Sequence, residues 1–145
     1  DIQAALGLSQ LKKLEWMWER RKEIAKRYTD AFKKSEEIIP PFIKPDRDTS
    51  WHLYVIKLKL DALKIDRNNF IEELKRIGIG TSVHFIPLYR HAFYKDTFKY
   101  SPKDFPNSEW IYERIISLPI YPGMTDEEIE SVIGSVEDVC KRFKR

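Results

Sequence analysis

The sequence predicts one α+β domain in which a small, mainly antiparallel sheet is covered by helices. Two observations favour this class. Apolar residues recur at helical spacing over much of the 145 residues, and the stretches that alternate as strands are few and short. Apolar residues make up 42% of the chain and charged residues 34%, which excludes a disordered protein. No apolar run approaches the roughly 20 residues of a transmembrane helix.

The N-terminal segment predicts one uninterrupted helix of about thirty residues. Apolar positions step by three and four along it, and no proline occurs before Pro40. A helix of that length often connects two domains. The turn-rich residues 40–48 then break regular structure. The predicted stripe consists of Leu11, Leu14, Trp18, Arg21, Ala25, Tyr28 and Phe32.

Three later segments predict strands, at residues 51–60, 81–85 and 115–118. The first strand begins with apolar residues on both faces, so we expect its start to be buried and His52 to be partly buried. The second strand ends before Pro87. Residues 89–106 are rich in aromatic side chains but show neither the helical nor the strand periodicity. They are therefore predicted to form a loop. One face of the first strand consists of His52, Tyr54, Ile56, Leu58 and Leu60.

Two further helices have clear end signals. Asp66 predicts the N-cap of one helix and Gly78 its C-terminal stop. Thr125 and Glu128 predict a capping box at the start of the last helix. A short helix is also predicted from about residue 107. The helix after Asp66 has an apolar face of Phe70, Leu74 and Ile77. The helix after Thr125 has an apolar face of Ile129, Val132, Ile133, Val136, Val139, Cys140 and Phe143.

Charge and cysteine content indicate no special chemistry. The net charge of +3 comes from 26 basic and 23 acidic residues that are interleaved, which is too weak an excess to indicate nucleic-acid binding. The lone Cys140 lies on an apolar stripe, which favours a buried structural thiol and a reducing, cytoplasmic environment. Three widely spaced histidines without a nearby cysteine do not match a zinc site. The low content of glutamine and asparagine, 2 and 3 residues respectively, suggests a thermophilic source.

His84 is the residue that spacing singles out for chemistry. It follows a predicted strand and precedes an aromatic loop, and binding groups collect at such strand ends. Its ring could donate to a phosphate or carboxylate while aromatic side chains cover a sugar face. It could equally hold only the turn at Pro87, and spacing leaves these two interpretations open. Gly78 and Gly80 are at most half of a dinucleotide fingerprint and are interpreted as a helix end followed by a strand.

Four segments together resemble the C-terminal part of the DegT/DnrJ/EryC1/StrS family of pyridoxal phosphate (PLP) dependent sugar aminotransferases. Residues 1–14 (DIQAALGLSQLKKL) are similar to that family's long helix, and residues 50–54 (SWHLY) to the first strand of its small domain. Residues 78–88 (GIGTSVHFIPL) resemble the strand and turn near its active-site mouth. Residues 116–125 (ISLPIYPGMT) resemble its closing strand and helix cap. The four matches occur in order along the whole chain.

The resemblance implies an aspartate-aminotransferase-type fold. Residues 1–36 would form a long interdomain helix and residues 37–145 the C-terminal small domain, with the N-terminal PLP-binding large domain outside this sequence. The whole enzyme would be a homodimer that moves an amino group from glutamate to a keto sugar nucleotide. The Schiff-base lysine of the family precedes this helix, so the chain by itself would lack catalysis.

The same resemblance implies a set of substrate-binding residues. His84 would contact the nucleotide sugar or its diphosphate, with Phe85 and Tyr89 nearby. Arg90 could reach a phosphate through two hydrogen bonds. His52 is a weaker candidate.

A different class of function stays open at this point, namely a stand-alone, non-catalytic ligand-binding or interaction module. The sequence opens without methionine inside an amphipathic run, which favours part of a longer protein. A nucleic-acid-binding function is a more distant third, because the basic residues form no one-sided stripe.

Overall fold

The computed structural model describes residues 1–145 and contains six helices and three strands. The helices are α1 (Ile2–Leu11), α2 (Leu14–Phe32), α3 (Arg67–Arg76), α4 (Ala92–Phe98), α5 (Pro106–Tyr112) and α6 (Asp126–Phe143). The strands are β1 (Ile38–Ile39), β2 (Tyr54–Leu58) and β3 (Ile115–Leu118). Short 3₁₀ turns lie at Leu60–Ala62, Leu88–Arg90 and Pro102–Asp104. None of the helices combines the length and apolar character needed to cross a bilayer.

The sheet is small and entirely antiparallel, with β2 in the centre. Ile38 of β1 pairs with Leu58 on one side of β2, and Leu118 of β3 pairs with Tyr54 on the other. Alternate residues of β2 are buried, because successive strand side chains point to opposite faces. The predicted α+β class with an antiparallel sheet is confirmed.

A single core joins the sheet to α2, α3 and α6. Tyr28 of α2 packs edge-on against Tyr54 of β2, with 5.1 Å between ring centres. The Tyr28 hydroxyl donates to the carbonyl oxygen of Pro119 at 2.9 Å, so the polar end of this buried ring is satisfied. The predicted stripe of α6 is confirmed, since Ile129, Val132, Ile133, Val136, Val139 and Cys140 are all buried. Only Phe143 is half-buried.

The predicted thirty-residue helix is two helices. The amide of Lys13 donates to the carbonyl of Gln10 at 2.9 Å, and this bond across three residues interrupts the regular ladder between α1 and α2. No side chain of α1 is buried, so packing does not hold the two helices in one continuous rod. On the predicted stripe, burial begins only in the second half of α2, at Ala25, Tyr28 and Phe32.

Two predicted strands are shorter in the structure. The first begins at Tyr54 and not at Trp51, because Trp51 has a φ of +48°, outside the strand region. His52 therefore lies before the strand and is exposed, so the expected partial burial was wrong. In residues 81–85 only Ser82 pairs with the sheet, opposite Ser117. Beyond it, the contact with β3 is made by a side chain and not by the backbone ladder.

The predicted aromatic loop contains regular structure. Helix α4 and two 3₁₀ turns lie between residues 88 and 106, and α5 starts at Pro106. These short elements are stabilised by aromatic contacts with one another, including Tyr89 on Phe105 and Phe98 on Tyr100. Such contacts do not follow one helical period, which is why the sequence pattern missed the elements. The two-residue strand β1 is likewise too short to give a pattern.

The predicted helix ends are confirmed. The Asp66 carboxylate accepts from the Asn69 amide at 2.8 Å, and Gly78 follows α3 with a φ of +87°. Thr125 and Glu128 form the reciprocal capping box of α6. Phe70 and Leu74 of α3 are buried, whereas Ile77 is exposed and follows the helix as its C-cap.

Candidate functional site

His84 is held against the middle of β3 by serine hydroxyls. Its Nδ1 lies 2.9 Å from the Ser117 hydroxyl oxygen and 3.3 Å from that of Ser82. The backbones of Ser82 and Ser117 exchange two hydrogen bonds, of 3.2 and 2.8 Å, so the two residues lie side by side in the sheet. A hydroxyl that donates to Nδ1 leaves the proton of a neutral imidazole on Nε2. In that tautomer, Nε2 of the half-buried ring is a hydrogen-bond donor.

An apolar rim adjoins the imidazole of His84. The ring of Phe85 stands edge-on to it with 4.8 Å between centres, and Phe85 is 76% exposed. The peptide bond between the two residues is cis. Ile86 and Leu88 continue the exposed apolar surface. The site thus combines one oriented polar group with apolar side chains, as in sites that bind a partly polar ligand.

Tyr89 and Arg90 are brought together by Glu109 of α5. The Tyr89 hydroxyl donates to Glu109 Oε2 at 2.7 Å, and its buried ring stacks on Phe105 with 4.8 Å between centres. The Arg90 guanidinium donates to both carboxylate oxygens of Glu109. In this structure the bidentate contact of Arg90 is therefore made within the chain. The contacts of both residues with a substrate stay predictions.

His52 does not contact the other predicted site residues. It forms no side-chain hydrogen bond and no aromatic contact with His84 or Tyr89, whereas its neighbour Trp51 packs on Tyr54 with 5.7 Å between ring centres. The structure therefore brings His84 next to Phe85, and Tyr89 next to Arg90. It does not join His52 to either pair.

A cavity of about 540 Å³ between the first half of α2 and residues 48–50 was missed by the sequence analysis. The Trp18 indole spans it and donates to the Thr49 carbonyl at 2.9 Å. Lys22 lies 3.7 Å above the Trp18 ring centre. Arg21 also lines the cavity, and its Nε is buried without an acceptor. The sequence signal that could have indicated this cavity is Arg21, a charged residue on an otherwise apolar helical stripe.

Cys140 is buried in α6, as predicted for a structural thiol. Burial raises the pKa of the thiol to about 12, so the thiolate is scarce at neutral pH. This cysteine is a packing residue and not a nucleophile.

Comparison with known proteins assigns the chain to a protein family. The family model of the DegT/DnrJ/EryC1/StrS aminotransferases matches residues 1–137. The chain belongs to the DegT/DnrJ/EryC1/StrS aminotransferase family. The resemblance predicted from four sequence segments is thereby confirmed.

Curated relatives share substantial sequence with this chain. An uncharacterized protein of Methanocaldococcus jannaschii is 55% identical over 139 residues, which are 96% of this chain and 36% of that protein. The spore coat polysaccharide biosynthesis protein SpsC of Bacillus subtilis is 46% identical over 142 residues, again 36% of its length. The chain therefore spans about a third of the curated relatives it matches.

Solved structures of other proteins, among them an aminotransferase, confirm the fold. PseC of Helicobacter pylori, an aminotransferase involved in the biosynthesis of pseudoaminic acid, superposes with a TM-score of 0.89 at 32% identity. The match covers 98% of this chain and 38% of PseC. DesV of S. venezuelae, solved in complex with a ketimine intermediate, gives a TM-score of 0.85 at 26% identity. The family is thus one of sugar aminotransferases with PLP as cofactor.

Proposed function

We propose that the protein containing this chain transfers an amino group from glutamate to the keto group of a nucleotide-linked sugar. The observation that supports this most strongly is the family match over residues 1–137. SpsC acts in spore coat polysaccharide biosynthesis and PseC in pseudoaminic acid biosynthesis, which favours a sugar substrate. In the whole protein this chain would form a small domain that covers the active site, with residues 1–36 as its connection and a homodimer as the working unit.

The lysines of this chain do not fit the Schiff-base role. A Schiff-base lysine is normally desolvated, with a lowered pKa. All 16 lysines here are exposed or half-exposed. Hydrogen bonds that their ammonium groups donate to carboxylates raise the pKa of Lys22, of Lys26 and of Lys144, which is the opposite direction. We infer that PLP, which supplies an electron sink for transamination, is held by residues outside these 145 and that the chain alone is inactive.

His84 is proposed as the polar contact to the nucleotide sugar or its diphosphate. Because Nδ1 contacts the hydroxyls of Ser117 and Ser82, Nε2 is the ring nitrogen left for a ligand, and it is a donor when a serine hydroxyl donates to Nδ1. A fixed donor strengthens binding because little side-chain freedom is lost when the substrate arrives. Phe85 would cover an apolar part of the ligand beside it. Tyr89, Arg90 and His52 are proposed as further contacts, and Arg90 would need to exchange Glu109 for a phosphate.

The test is His84→Ala in the full-length enzyme. We expect a higher KM for the sugar nucleotide or a lower kcat, by about tenfold, since one hydrogen bond to a charged ligand contributes about 1.5 kcal/mol. The absorbance of bound PLP should be unchanged. His91→Ala is the matched control, because His91 is an exposed histidine of the same segment without a side-chain hydrogen bond.

Two outcomes would contradict these proposals separately. If His84→Ala removes the PLP absorbance, His84 supports the cofactor and its assignment to the substrate is wrong. If the unaltered protein binds no PLP and shows no amino transfer, the enzyme proposal fails. The alternative, a non-catalytic ligand-binding or interaction module with the same fold, would then replace it.

A further inference from the structure

Arg67 is a buried arginine without an anionic partner. It is the first residue of α3 and only 8% exposed. Seven of the ten arginines form ion pairs with carboxylates, and Arg145 donates to the Leu63 carbonyl at 2.7 Å. Arg67 forms neither an ion pair nor a side-chain hydrogen bond. Buried arginines are normally paired, and the Arg67 nitrogens keep enough solvent access to take a partner from outside the chain.

The guanidinium lies in the wall of a cavity of about 360 Å³, hereafter the Arg67 cavity. The cavity is bounded by Leu60, residues 66–68, Arg90 and the end of α5 at Tyr112 and Glu113. The central carbon of the Arg67 guanidinium lies 5.0 Å from the Tyr112 ring centre, and that of Arg90 lies 4.9 Å from it. The aromatic ring thus holds the Arg67 side chain at the cavity without satisfying its N–H groups.

The other charged groups of the Arg67 cavity have polar partners in the chain. Arg90 donates to Glu109. The Glu113 carboxylate accepts from Arg114 at 3.0 Å. The Asp66 carboxylate accepts from the backbone and side-chain nitrogens of Asn69, at 2.8 and 3.0 Å. Arg67 is therefore the one charged lining group whose side chain has no hydrogen-bond partner in the chain.

Backbone donors converge on the same end of α3. The amides of Arg67 and Asn68 belong to the first helical turn and have no acceptor in the chain, because the Asp66 cap is used by Asn69. The partial positive charge of a helix N-terminus adds to that of the guanidinium. Both charges favour an anion beside the Arg67 guanidinium.

We propose that the Arg67 cavity binds the carboxylate of a small organic acid. A planar carboxylate matches two parallel N–H groups of a guanidinium. The carboxylates of Asp66 and Glu113 line the same cavity and repel added negative charge, which favours a singly charged group over a phosphate dianion. The cavity volume leaves room for the body of such an acid beside Leu60 and Tyr112.

Acetate is the probe for this proposal, in the full-length protein. We expect sodium acetate to raise Tm along a saturating curve, beyond the effect of sodium chloride at equal ionic strength. Arg67→Met should weaken the apparent affinity for acetate at least tenfold, and Arg67→Lys should weaken it less. Lys75→Met is the matched control, because Lys75 is an exposed, unpaired cation of the same helix, and it should behave as the unaltered protein.

An NMR measurement on the Arg67 side chain tests the proposal even if the Arg67→Met variant does not fold. In protein labelled with ¹⁵N-arginine, the Nε–H signal absent from the Arg67→Lys spectrum belongs to Arg67 and should shift with acetate along the same saturation curve. The proposal is overturned if that signal does not move, or if Arg67→Met binds acetate as well as the unaltered protein does. Tighter binding of phosphate than of acetate at pH 8 would overturn the carboxylate assignment.

Discussion

At the scale of single residues, two glycines differ in backbone conformation, and an added methyl group would have opposite effects on stability at the two positions. Gly78 follows α3 with a φ of +87°, in the left-handed region that side chains with a Cβ rarely adopt. Gly134 lies inside α6 with helical geometry. A Cβ added at either position would meet no atom within 4 Å. Backbone conformation alone therefore decides the effect of substitution.

The prediction is that alanine has opposite effects at these two sites. Gly78→Ala should lower the free energy of unfolding by about 1–2 kcal/mol, because the left-handed conformation is strained for an L-residue. Gly134→Ala should raise it by about 0.5–1 kcal/mol, because glycine is costly in a helix interior. Urea unfolding followed by circular dichroism measures both. A stabilising Gly78→Ala would show that the chain does not turn there as described.

At the scale of elements, an ion-pair network joins α2 to the start of α6. Asp126 accepts from Arg20 at 3.1 Å and from Arg27 at 2.7 Å, and Arg27 also pairs with Glu130 at 2.6 Å. The hydrogen bonds from Arg20 and Arg27 lower the pKa of the Asp126 carboxyl. The same carboxylate lies at the N-terminus of α6, where negative charge is favourable.

This network predicts a pH-dependent effect of Asp126→Asn. Because the pKa of Asp126 is lower in the folded chain than the unfolded value of about 3.9, its stabilisation is present above that value and is lost as pH falls through the folded pKa. Asp126→Asn should therefore lower Tm at pH 7, and the difference from the unaltered chain should narrow as the pH falls below the unfolded pKa of about 3.9.

The matched control is Asp138→Asn, the same change on an exposed face of α6. The Asp138 carboxylate contacts only Lys141 of its own helix, at 4.0 Å. Its Tm change at pH 7 should be smaller, since an exposed pair within one helix contributes little. Equal changes in the two variants would mean that the contacts between α2 and α6 add nothing to stability.

At the scale of the whole molecule, the chain is well packed at one end and uncovered at the other. The second half of α2, the sheet, α3 and α6 share one core, whereas α1 buries no side chain. Ile2 is 89% exposed, Leu6 61% and Leu8 65%, and Trp16 of α2 is also exposed. Large apolar side chains exposed in this number usually contact another protein surface.

We expect the 145-residue chain in isolation to self-associate through α1. Sedimentation velocity should show a mass that rises with concentration, and the double variant Leu6→Gln with Leu8→Gln should shift the distribution toward monomer. Leu88→Gln removes a leucine of similar exposure outside the helix and should leave the association unchanged. A monomer at all concentrations would contradict the prediction.

Local signals in the sequence predicted much of the fold. The caps at Asp66 and Thr125, the turn at Gly78 and the stripe of α6 involve residues within about four positions of one another, and these predictions are confirmed. The fold class followed from the same patterns. The family was recognised from four short segments and is confirmed by comparison.

What only the tertiary structure decided are contacts between distant residues. Ser117 lies 33 positions from His84, and nothing in the local spacing indicates that its hydroxyl orients the imidazole. The same is true of Glu109, which holds Arg90 from 19 positions away, and of Tyr112, which covers Arg67. A one-dimensional pattern records which face of an element is apolar. It does not record which faces meet, because that depends on how the helices and the sheet pack together.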